Sequence, residues 1–270
     1  MTKNIDYLAL NKRAWDNKVP YHIASSFYGN EEFIQGKSSL KHVEIDLLNR
    51  LQVREKKVLH LQCHFGQDSI SLARMGGEVT AVDFSKMAIE KGRELAEECA
   101  VKVNFIEENV LTFNPSGDAL FDVVFTSYGT IGWFPDLKSW AAVVSRSMKS
   151  GGTFVMVDFH PFVWTFDDEI KSLAYDYFQA DPIVEVTNGT YADRTAPLND
   201  TIATWNHGMA EIITALVDTG LIVKEFKEYD YSPYDCFSNL REDEEERFRF
   251  AHLQVRIPML YSLVLEKPNL

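Results

Sequence analysis

The sequence predicts an α/β protein built on a doubly wound, mostly parallel sheet. Strand-like and helix-like patterns alternate between residues 57 and 159 with short links between them, as strand–helix–strand units with right-handed crossovers require. The run TFVMVDF (residues 153–159) is almost continuously apolar rather than alternating. Such a run is typical of a strand that is buried on both faces, between two layers of helices.

The individual elements follow from this pattern. We expect strands over residues 57–62, 78–83, 101–107, 121–127 and 153–159, and further strands over residues 221–229 and 259–267. Helices are expected over residues 69–74, 85–100, 136–149 and 208–219. Ser85 is placed to cap the second helix with its hydroxyl group. Ser150, Gly151 and Gly152 tolerate the left-handed backbone that would close the third helix.

Composition limits the classes of function. The chain has 270 residues, 46% of them hydrophobic, and a formal net charge of -13; the apolar content is ordinary for a globular protein, and the charge is unfavourable for nucleic-acid binding. No run approaches the roughly 18 apolar residues of a membrane span, and the N-terminus lacks a signal-peptide pattern. Three scattered cysteines without a CxxC pair argue against a metal or redox site. We expect a cytoplasmic monomer or homodimer that binds neither nucleic acid nor membrane.

Two long segments lack a clear period. Residues 160–206 are rich in aromatic side chains, and residues 230–258 combine aromatic with charged ones. Segments of this length usually cover a site or belong to a cap, so we expect both to be cap insertions that form a substrate pocket. The acidic run EDEEE (residues 242–246) is typical of a solvated helix surface.

The turn after the first strand is a candidate ligand site, because ligands of open α/β sheets bind beyond the carboxyl ends of the strands. It lies in VLHLQCHFG (residues 58–66), and Gly66 stands where a helix begins. A glycine there allows the backbone to approach a ligand closely, although a tight turn alone would also explain it.

Asp83 is the second candidate, since it ends the next strand 17 residues after Gly66. A carboxylate at this point can accept both hydroxyl protons of a ribose. The alternative is that Asp83 caps the following helix, a role that Ser85 can fill instead. A dinucleotide would require GxGxxG around its pyrophosphate, whereas residues 62–67 read QCHFGQ. The pattern therefore favours a nucleoside without a pyrophosphate and disfavours a nicotinamide-dependent oxidoreductase.

From about residue 40 to residue 160 the chain resembles the class I S-adenosylmethionine-dependent methyltransferases, in a bacterial subgroup with a type-11-like domain. Their first motif commonly reads VLDLGCGTG; here VLHLQCHFG has His60 in place of the acidic residue, and Gln62 and His64 in place of two glycines. The motifs that follow in the family's order are VTAVDFS, FIEENVLTF, FDVVFTSYGTIGWFPD and SMKSGGTFVMVDF, and later TWNHGMAEIITALVDTGLIVKEF and LYSLVLEK. The resemblance implies a seven-stranded, Rossmann-like sheet with an antiparallel last strand, in a single methyltransferase domain over residues 1–270.

The resemblance also implies S-adenosyl-L-methionine as the cofactor and assigns residues to its parts. Asp83 would bind the ribose hydroxyls and Phe84 would pack against the adenine. Asn109 and Val110 would lie on the adenine side, where the carbonyl oxygen of Asn109 can accept a hydrogen bond from the adenine amino group. The residues implied at the methionine portion and the sulfonium are Gln62, Cys63, His64, Gly66, Ser127 and Tyr128.

Residues 1–40 are similar to the arm that covers the cofactor in this family. Four of its aromatic residues are candidates to close over the cofactor: Trp15, Tyr21, His22 and Tyr28. Aromatic faces attract a positively charged sulfonium, so these side chains either close over the cofactor or pack the arm on the core.

The implied reaction is the in-line transfer of a methyl group to a small-molecule acceptor, which leaves S-adenosyl-L-homocysteine. A general base is needed only if the acceptor arrives protonated. His160 and His207 are the candidates for that base, and Tyr128 is a candidate to orient the acceptor; the alternative for both histidines is structural hydrogen bonding. Asn206 is placed to cap the helix that follows. The alternative function is a non-catalytic protein that binds S-adenosylmethionine or a nucleoside on the same fold.

Overall fold

The computed structural model describes residues 5–115, 120–178 and 181–269. The helices within these residues are α1 (Tyr7–Ala24), α2 (Asn30–Ile34), α3 (His42–Leu51), α4 (Gln67–Arg74), α5 (Lys86–Glu98), α6 (Lys138–Ser147) and α7 (Met209–Val217). The strands are β1 (Lys57–Leu61), β2 (Glu78–Asp83), β3 (Asn104–Glu107), β4 (Phe121–Ser127), β5 (Met148–Phe159), β6 (Ile183–Asn188), β7 (Asn199–Thr204), β8 (Ile222–Tyr229), β9 (Leu240–Glu244), β10 (Arg247–Phe250) and β11 (Leu260–Glu266). None of the helices in these ranges is long and apolar enough to cross a membrane.

One sheet contains seven of the strands, in the order β3–β2–β1–β4–β5–β11–β8. Strands β1 to β5 pair in parallel, and β11 runs antiparallel to both of its neighbours. The predicted fold class is confirmed, including the antiparallel last strand. The strand order reverses at β1, which lies between β2 and β4, and open α/β sheets bind ligands in the crevice at such a point.

Helices cover the sheet on both faces, which explains the continuous apolar run in β5. Phe154 and Met156 belong to the core that α6 and α7 complete. Val155 and Val157 point the other way, into the core that α3 completes. Successive residues of a strand face opposite sides of the sheet, so each of these side chains is buried without breaking the strand's geometry.

Two boundaries differ from the prediction because of contacts that a local pattern does not show. Residues 150–152 do not close a helix: they lie in β5, which starts directly after α6, and the amide of Gly151 donates to the carbonyl of Lys267 at 2.8 Å. The third strand starts at Asn104 rather than at Val101, since the amide of Val101 donates to the carbonyl of Ala96 at 2.9 Å and so belongs to the end of α5.

The two segments predicted as irregular contain small antiparallel sheets. β6 pairs with β7 within residues 160–206, and β9 pairs with β10 within residues 230–258. The prediction of a helix at residues 242–246 is wrong, since these residues form the end of β9 and the turn after it. There the acidic side chains form ion pairs with arginines of the same hairpin, Arg241 with Asp243 at 2.6 Å and Arg247 with Glu244 at 2.7 Å.

Helix α1 is attached to the β6–β7 hairpin. The side-chain amide of Asn11 donates to the carbonyl of Ala203 at 2.8 Å and accepts from the amide of Ala203 at 2.9 Å, which imitates the paired bonds of a neighbouring strand. Six residues further along α1, Asn17 donates to Asp200 at 2.9 Å. We refer to residues 5–28, which contain α1, together with residues 160–178, 181–206 and 230–258 as the cover.

Candidate active site

A cavity of about 1030 Å³ lies at the carboxyl ends of the central strands, beneath the cover. Small-molecule sites usually measure roughly 300–1,000 Å³, so this cavity has room for two ligands side by side. Each of the residues assigned from the sequence to the cofactor lines it: Tyr28, Gln62, Cys63, His64, Gly66, Asp83, Phe84, Asn109, Val110, Ser127 and Tyr128. We refer to the segments that follow β1, β2, β4 and β5 as the strand edge.

The turn after β1 keeps the backbone of a glycine-rich loop although it holds one glycine. Gln62 and His64, which replace two glycines of the motif, have left-handed φ values of 56° and 53°, and Gly66 has 78°. A non-glycine residue in this conformation costs roughly 1–2 kcal/mol, and such strain is characteristic of functional sites. The substitution therefore leaves the path of the loop intact and adds two polar side chains.

Only one of the two polar atoms of the Gln62 side-chain amide forms a hydrogen bond with the described residues. Its Nε2 donates to the carbonyl of Thr130 at 2.6 Å. Its Oε1 is buried and accepts no hydrogen bond from the residues that the structure describes. A buried acceptor without a donor is unfavourable unless a ligand supplies the donor.

Gly66 is required by packing as well as by conformation. A Cβ atom at this position would lie 2.4 Å from Cε1 of Phe105 on β3. Gly66 lines the cavity, so the two interpretations of this glycine, a tight turn and close approach to a ligand, are compatible.

Asp83 connects two parts of the strand edge. Its Oδ2 accepts the amide of His64 at 2.9 Å, and its Oδ1 accepts the amide of Ser85 at 2.9 Å. Helix α5 is capped by Ser85, whose hydroxyl oxygen accepts the amide of Ala88 at 3.1 Å, as predicted. Burial raises the pKa of Asp83 to about 6, and the two amides oppose that shift. Each carboxylate oxygen keeps a free lone pair for a further donor.

His60, which replaces the acidic residue of the motif, is a neutral part of the core. Its Nδ1 lies 2.8 Å from the hydroxyl of Ser69, and its ring packs 5.1 Å from that of Phe125. Burial lowers the pKa of His60 to about 4, so the ring is uncharged at neutral pH.

The adenine-side residues lie in the cavity, but one of them is already engaged. Asn109 begins a short 3-10 turn (Val110–Thr112), and its Oδ1 accepts the amide of Leu111 at 3.0 Å. The oxygen predicted to contact an adenine amino group therefore also holds this turn. Phe84 presents its ring to the cavity, with the ammonium group of Lys12 5.9 Å from the ring centroid.

After β4, Ser127 and Tyr128 line the cavity in different ways. The hydroxyl of Ser127 donates to Asp68 at 2.9 Å. Tyr128 has a left-handed φ of 47°, and its ring packs edge-on against Tyr234 of the cover at 4.9 Å. The carboxyl group of Glu44 is buried in α3 near the Tyr128 hydroxyl, and neither group has a hydrogen-bond partner among the described residues. Burial raises the pKa of Glu44 to about 8, an effect that the Tyr128 hydroxyl opposes.

An aromatic cluster joins the turn after β1 to the cover. His22 lies 3.3 Å from His64 through Nδ1 and 3.0 Å from the hydroxyl of Thr190 through Nε2. The hydroxyl groups of Tyr28 and Tyr191 are 2.5 Å apart. Burial lowers the pKa of His22 to about 3, so this cluster is uncharged at neutral pH.

The four arm aromatics are thus divided. Trp15 and Tyr28 line the cavity, His22 lies behind them in the cluster, and Tyr21 is not among the lining residues. The ring of Trp15 is 5.2 Å from that of His64 and 5.3 Å from that of Trp133.

The two histidines considered as bases contact neighbouring groups through their ring nitrogens, although the buried Nε2 of His160 forms no hydrogen bond with the described residues. His160 does not line the cavity; its Nδ1 accepts the amide of Phe162 at 3.1 Å, and its Nε2 is 2.9 Å from Glu228. His207 lines the cavity, with Nε2 2.8 Å from the carbonyl of Phe134 and Nδ1 3.0 Å from Glu211. This geometry favours the structural alternative for both.

The prediction that Asn206 caps α7 is wrong. Gly208 holds the capping position, and the side-chain amide of Asn206 donates instead to the carbonyl of Asp176 in the cover, at 3.3 Å. In the described ranges, no group of three or more His, Cys, Asp or Glu side chains is arranged to hold a metal ion.

Several lining residues were not predicted from the sequence: Lys18, Trp133, Thr190 and Tyr191. The position of Lys18 beside Trp15 and His22 could have been predicted from the sequence. It lies three residues after Trp15 and four before His22, and such residues share one face of a helix. The sequence gives no local signal for the contacts of Thr190 and Tyr191, because their partners are more than 160 residues away in the chain.

Comparisons with known proteins agree with this geometry. Residues 58–152 match a family model described as a methyltransferase domain. The chain is 34% identical over 162 residues to an uncharacterized methyltransferase of Synechocystis sp., a match that covers 57% of this chain and 70% of that protein. It is 29% identical over 137 residues to a ubiquinone biosynthesis O-methyltransferase of Pectobacterium carotovorum, covering 50% of this chain and 54% of the relative. A solved S-adenosylmethionine-dependent methyltransferase of Clostridium acetobutylicum has the same fold, with a TM-score of 0.58 at 13% identity over 97% of this chain and 100% of that one.

The chain belongs to the S-adenosylmethionine-dependent methyltransferases, and the resemblance stated from its motifs is confirmed. The cofactor of this family is S-adenosyl-L-methionine. The chain spans about half the length of the ubiquinone biosynthesis relative, so the acceptor named for that protein does not carry over.

The residues present fit that cofactor. Asp83 offers free carboxylate lone pairs to a ribose, and Gln62 offers a buried acceptor without a donor, which suits the ammonium group of an amino acid.

Proposed function

We propose that this protein transfers a methyl group from S-adenosyl-L-methionine to a small-molecule acceptor held under the cover. The observation that carries the proposal is a single cavity that joins two different compartments. One is the polar strand edge with Asp83, and the other is an aromatic compartment lined by Phe159, Trp164, Tyr234 and Phe237.

The cofactor-binding residues in this proposal are those assigned from the motifs. Asp83 holds the ribose, Phe84, Asn109 and Val110 surround the adenine, and Gln62 accepts from the ammonium group. When bound, the cofactor supplies an activated methyl group on its sulfonium. Cys63, His64, Gly66 and Ser127 shape the floor beneath the methionine portion, and Tyr28 closes it from the cover.

The acceptor compartment indicates the class of substrate. Its lining is mostly aromatic, which suits an apolar molecule with few polar contacts. The curated relatives that act in ubiquinone biosynthesis are O-methyltransferases, which supports a small acceptor. The net charge of -13 disfavours a nucleic acid. A single chain supplies both compartments, as expected for a monomer or for a homodimer with one site in each subunit.

The chain's own contribution to the reaction is alignment and exclusion of water. The cover places aromatic side chains over the strand edge, so the reacting groups are held together beneath it. Of the three residues considered for the reaction, Tyr128 is placed best, as a residue that orients the acceptor, because it lines the cavity. His160 and His207 would each have to break an existing contact.

Ligand-dependent thermal unfolding tests the proposal directly. A ligand that binds only the native protein adds roughly 2.7 kcal/mol at 100 times its dissociation constant. We expect S-adenosylmethionine and S-adenosylhomocysteine to raise the melting temperature and NAD to leave it unchanged. Stabilisation by NAD alone would contradict the proposal.

A second measurement separates an enzyme from a binding protein. Small aromatic acceptors with hydroxyl, carboxyl, thiol or amino groups are incubated with the protein and S-adenosylmethionine, and the release of S-adenosylhomocysteine is followed. We expect release that depends on one acceptor class. Tight cofactor binding without release for any class would favour the non-catalytic alternative.

A further inference from the structure

Lys18 is a buried cation in the cavity without a counter-ion. It lies on α1, is 7% exposed, and lines the cavity. Its ammonium group is 5.3 Å from the ring centroid of Trp15 and 5.8 Å from that of Trp133. Among the described residues, no carboxylate lies within 4 Å of this nitrogen, and none accepts a hydrogen bond from it. Two aromatic faces attract the charge but leave its three N–H donors unused.

The nearby charges do not compensate for the burial of Lys18. Asp200 is the nearest compensating charge and acts on Lys18 from beyond ion-pair distance; its Oδ1 accepts a hydrogen bond from Asn17, and its buried Oδ2 has no hydrogen-bond partner among the described residues. Burial lowers the pKa of Lys18 in spite of this carboxylate. A buried charge is costly unless it is paired and hydrogen-bonded, so the arrangement is complete only when an anion enters the cavity.

The position of Lys18 relative to the sheet identifies the part of a ligand that it meets. Asp83 ends β2, on one side of β1, whereas Trp133 follows β4, on the other side. Gln62 is tied to this second side by its bond to Thr130. A ligand whose ribose lies at Asp83 and which crosses β1 therefore ends between Gln62 and Lys18.

The two groups at that end are complementary to an amino acid. Gln62 presents a buried acceptor without a donor, and Lys18 presents donors without an acceptor. An ammonium group next to a carboxylate satisfies both at once. An acceptor molecule that carried only a carboxylate would leave Gln62 unpaired.

We propose that Lys18 binds the α-carboxylate of the cofactor's methionine portion, as a positioning residue contributed by the cover. This inference rests on the proposed function, since it takes the cofactor site as given. It assigns to α1 a direct contact with the cofactor in addition to its role in closing the cavity.

Calorimetric titration with two ligands tests the inference. S-Adenosylhomocysteine carries the amino-acid portion, and 5′-methylthioadenosine lacks it but keeps the adenosine and the sulfur. We expect Lys18→Met to weaken binding of S-adenosylhomocysteine by roughly 10- to 100-fold, the range for loss of a charged hydrogen bond. Binding of 5′-methylthioadenosine should stay within about threefold of wild type, which also shows that the variant is folded.

Two further variants complete the design. Lys18→Arg keeps the charge and should retain most of the affinity for S-adenosylhomocysteine. Arg13→Met removes a cation from an exposed position of the same helix and should change neither affinity.

The outcomes are distinguishable. Unchanged binding of S-adenosylhomocysteine by Lys18→Met would overturn the inference, and so would an equal loss for both ligands, because Lys18 would then act through the fold. A wild-type protein that binds neither ligand would overturn the proposed function, and the inference with it.

Discussion

At the strand edge, buried carboxylates accept hydrogen bonds from backbone amides, whereas the cover also contains hydrogen bonds between side chains. Asp83 accepts two amides, and Asp158 at the end of β5 accepts those of Gly129 and Phe159 at 2.5 and 2.7 Å. In the cover, His22 pairs with Thr190, and Tyr28 pairs with Tyr191. Groups held by the sheet's own backbone cannot move unless the sheet opens, but side-chain pairs can separate locally.

This difference between the two regions suggests how one cavity can combine a fixed binding position with enclosure of the ligand. In the proposed function, Asp83 at the strand edge holds the ribose, and the cover encloses the ligands above it. The two regions also titrate in opposite directions: burial raises the pKa of Asp83 and of Asp158 to about 6, and lowers that of His22 to about 3. Both shifts favour the uncharged form, as the lowering of the pKa of Lys18 by burial does.

The largest expected effect tests the burial of the Glu44 carboxyl group in α3. Burial raises the pKa of Glu44 to about 8 from an ordinary value of 4.5. Its contribution to stability is therefore complete below pH 4.5 and is lost as the pH rises through 8, by roughly 4–5 kcal/mol in total. Glu44→Gln cannot ionise, so the variant should match wild type near pH 4.5 and exceed it by most of that amount at pH 9.

Denaturant unfolding at several pH values measures this difference. Asp83 and Asp158 are present in both proteins, so their titration cancels in the comparison. Glu97→Gln, at an exposed position of α5, is the control and should leave the pH dependence unchanged. Parallel pH profiles for wild type and Glu44→Gln would mean that Glu44 is solvated in the native protein.

The next effect tests the packing of the strand edge. Gly66→Ala would place a methyl group 2.4 Å from the Phe105 ring in a left-handed backbone with φ 78°. We expect the free energy of unfolding to fall by roughly 2–4 kcal/mol, from strain and overpacking together. Gly220→Ala is the matched control, since it has φ 87° with nothing within 4 Å, and it should cost only about 1 kcal/mol. Equal losses of unfolding free energy in the two variants would show that the Phe105 ring moves aside without a cost in free energy.

The same contrast between the regions decides what could be predicted from the sequence. The bounds of β2 and β4 match the prediction residue by residue, because apolar runs and the polar residues after them are local signals. The strand-edge residues followed from those bounds. The pairing of Tyr28 with Tyr191, the hairpins of the cover and the strand structure of residues 150–152 depend on partners far away in the chain, and local periodicity carries no trace of them.

Gln62 and His64 show a second limit of prediction from the sequence. Residues other than glycine rarely adopt a left-handed backbone, but Gln62 and His64, which replace two glycines of the motif, both adopt it. The bond from the Gln62 side chain to Thr130 and the bond from the His64 amide to Asp83 hold them there. Side-chain tethers thus substitute for intrinsic freedom, and their partners are visible only in the folded protein.

The central claim is that a cofactor's ribose is held by Asp83, and titration with S-adenosylhomocysteine tests it most directly. Asp83→Ala should weaken binding by roughly tenfold or more, because two charge-assisted hydrogen bonds are lost. Glu107 is the matched control: it pairs with Asp83 across β2 and β3 but does not line the cavity, so Glu107→Ala should bind as wild type does. Wild-type affinity in a folded Asp83→Ala protein would contradict the account, since the ribose would then lie elsewhere.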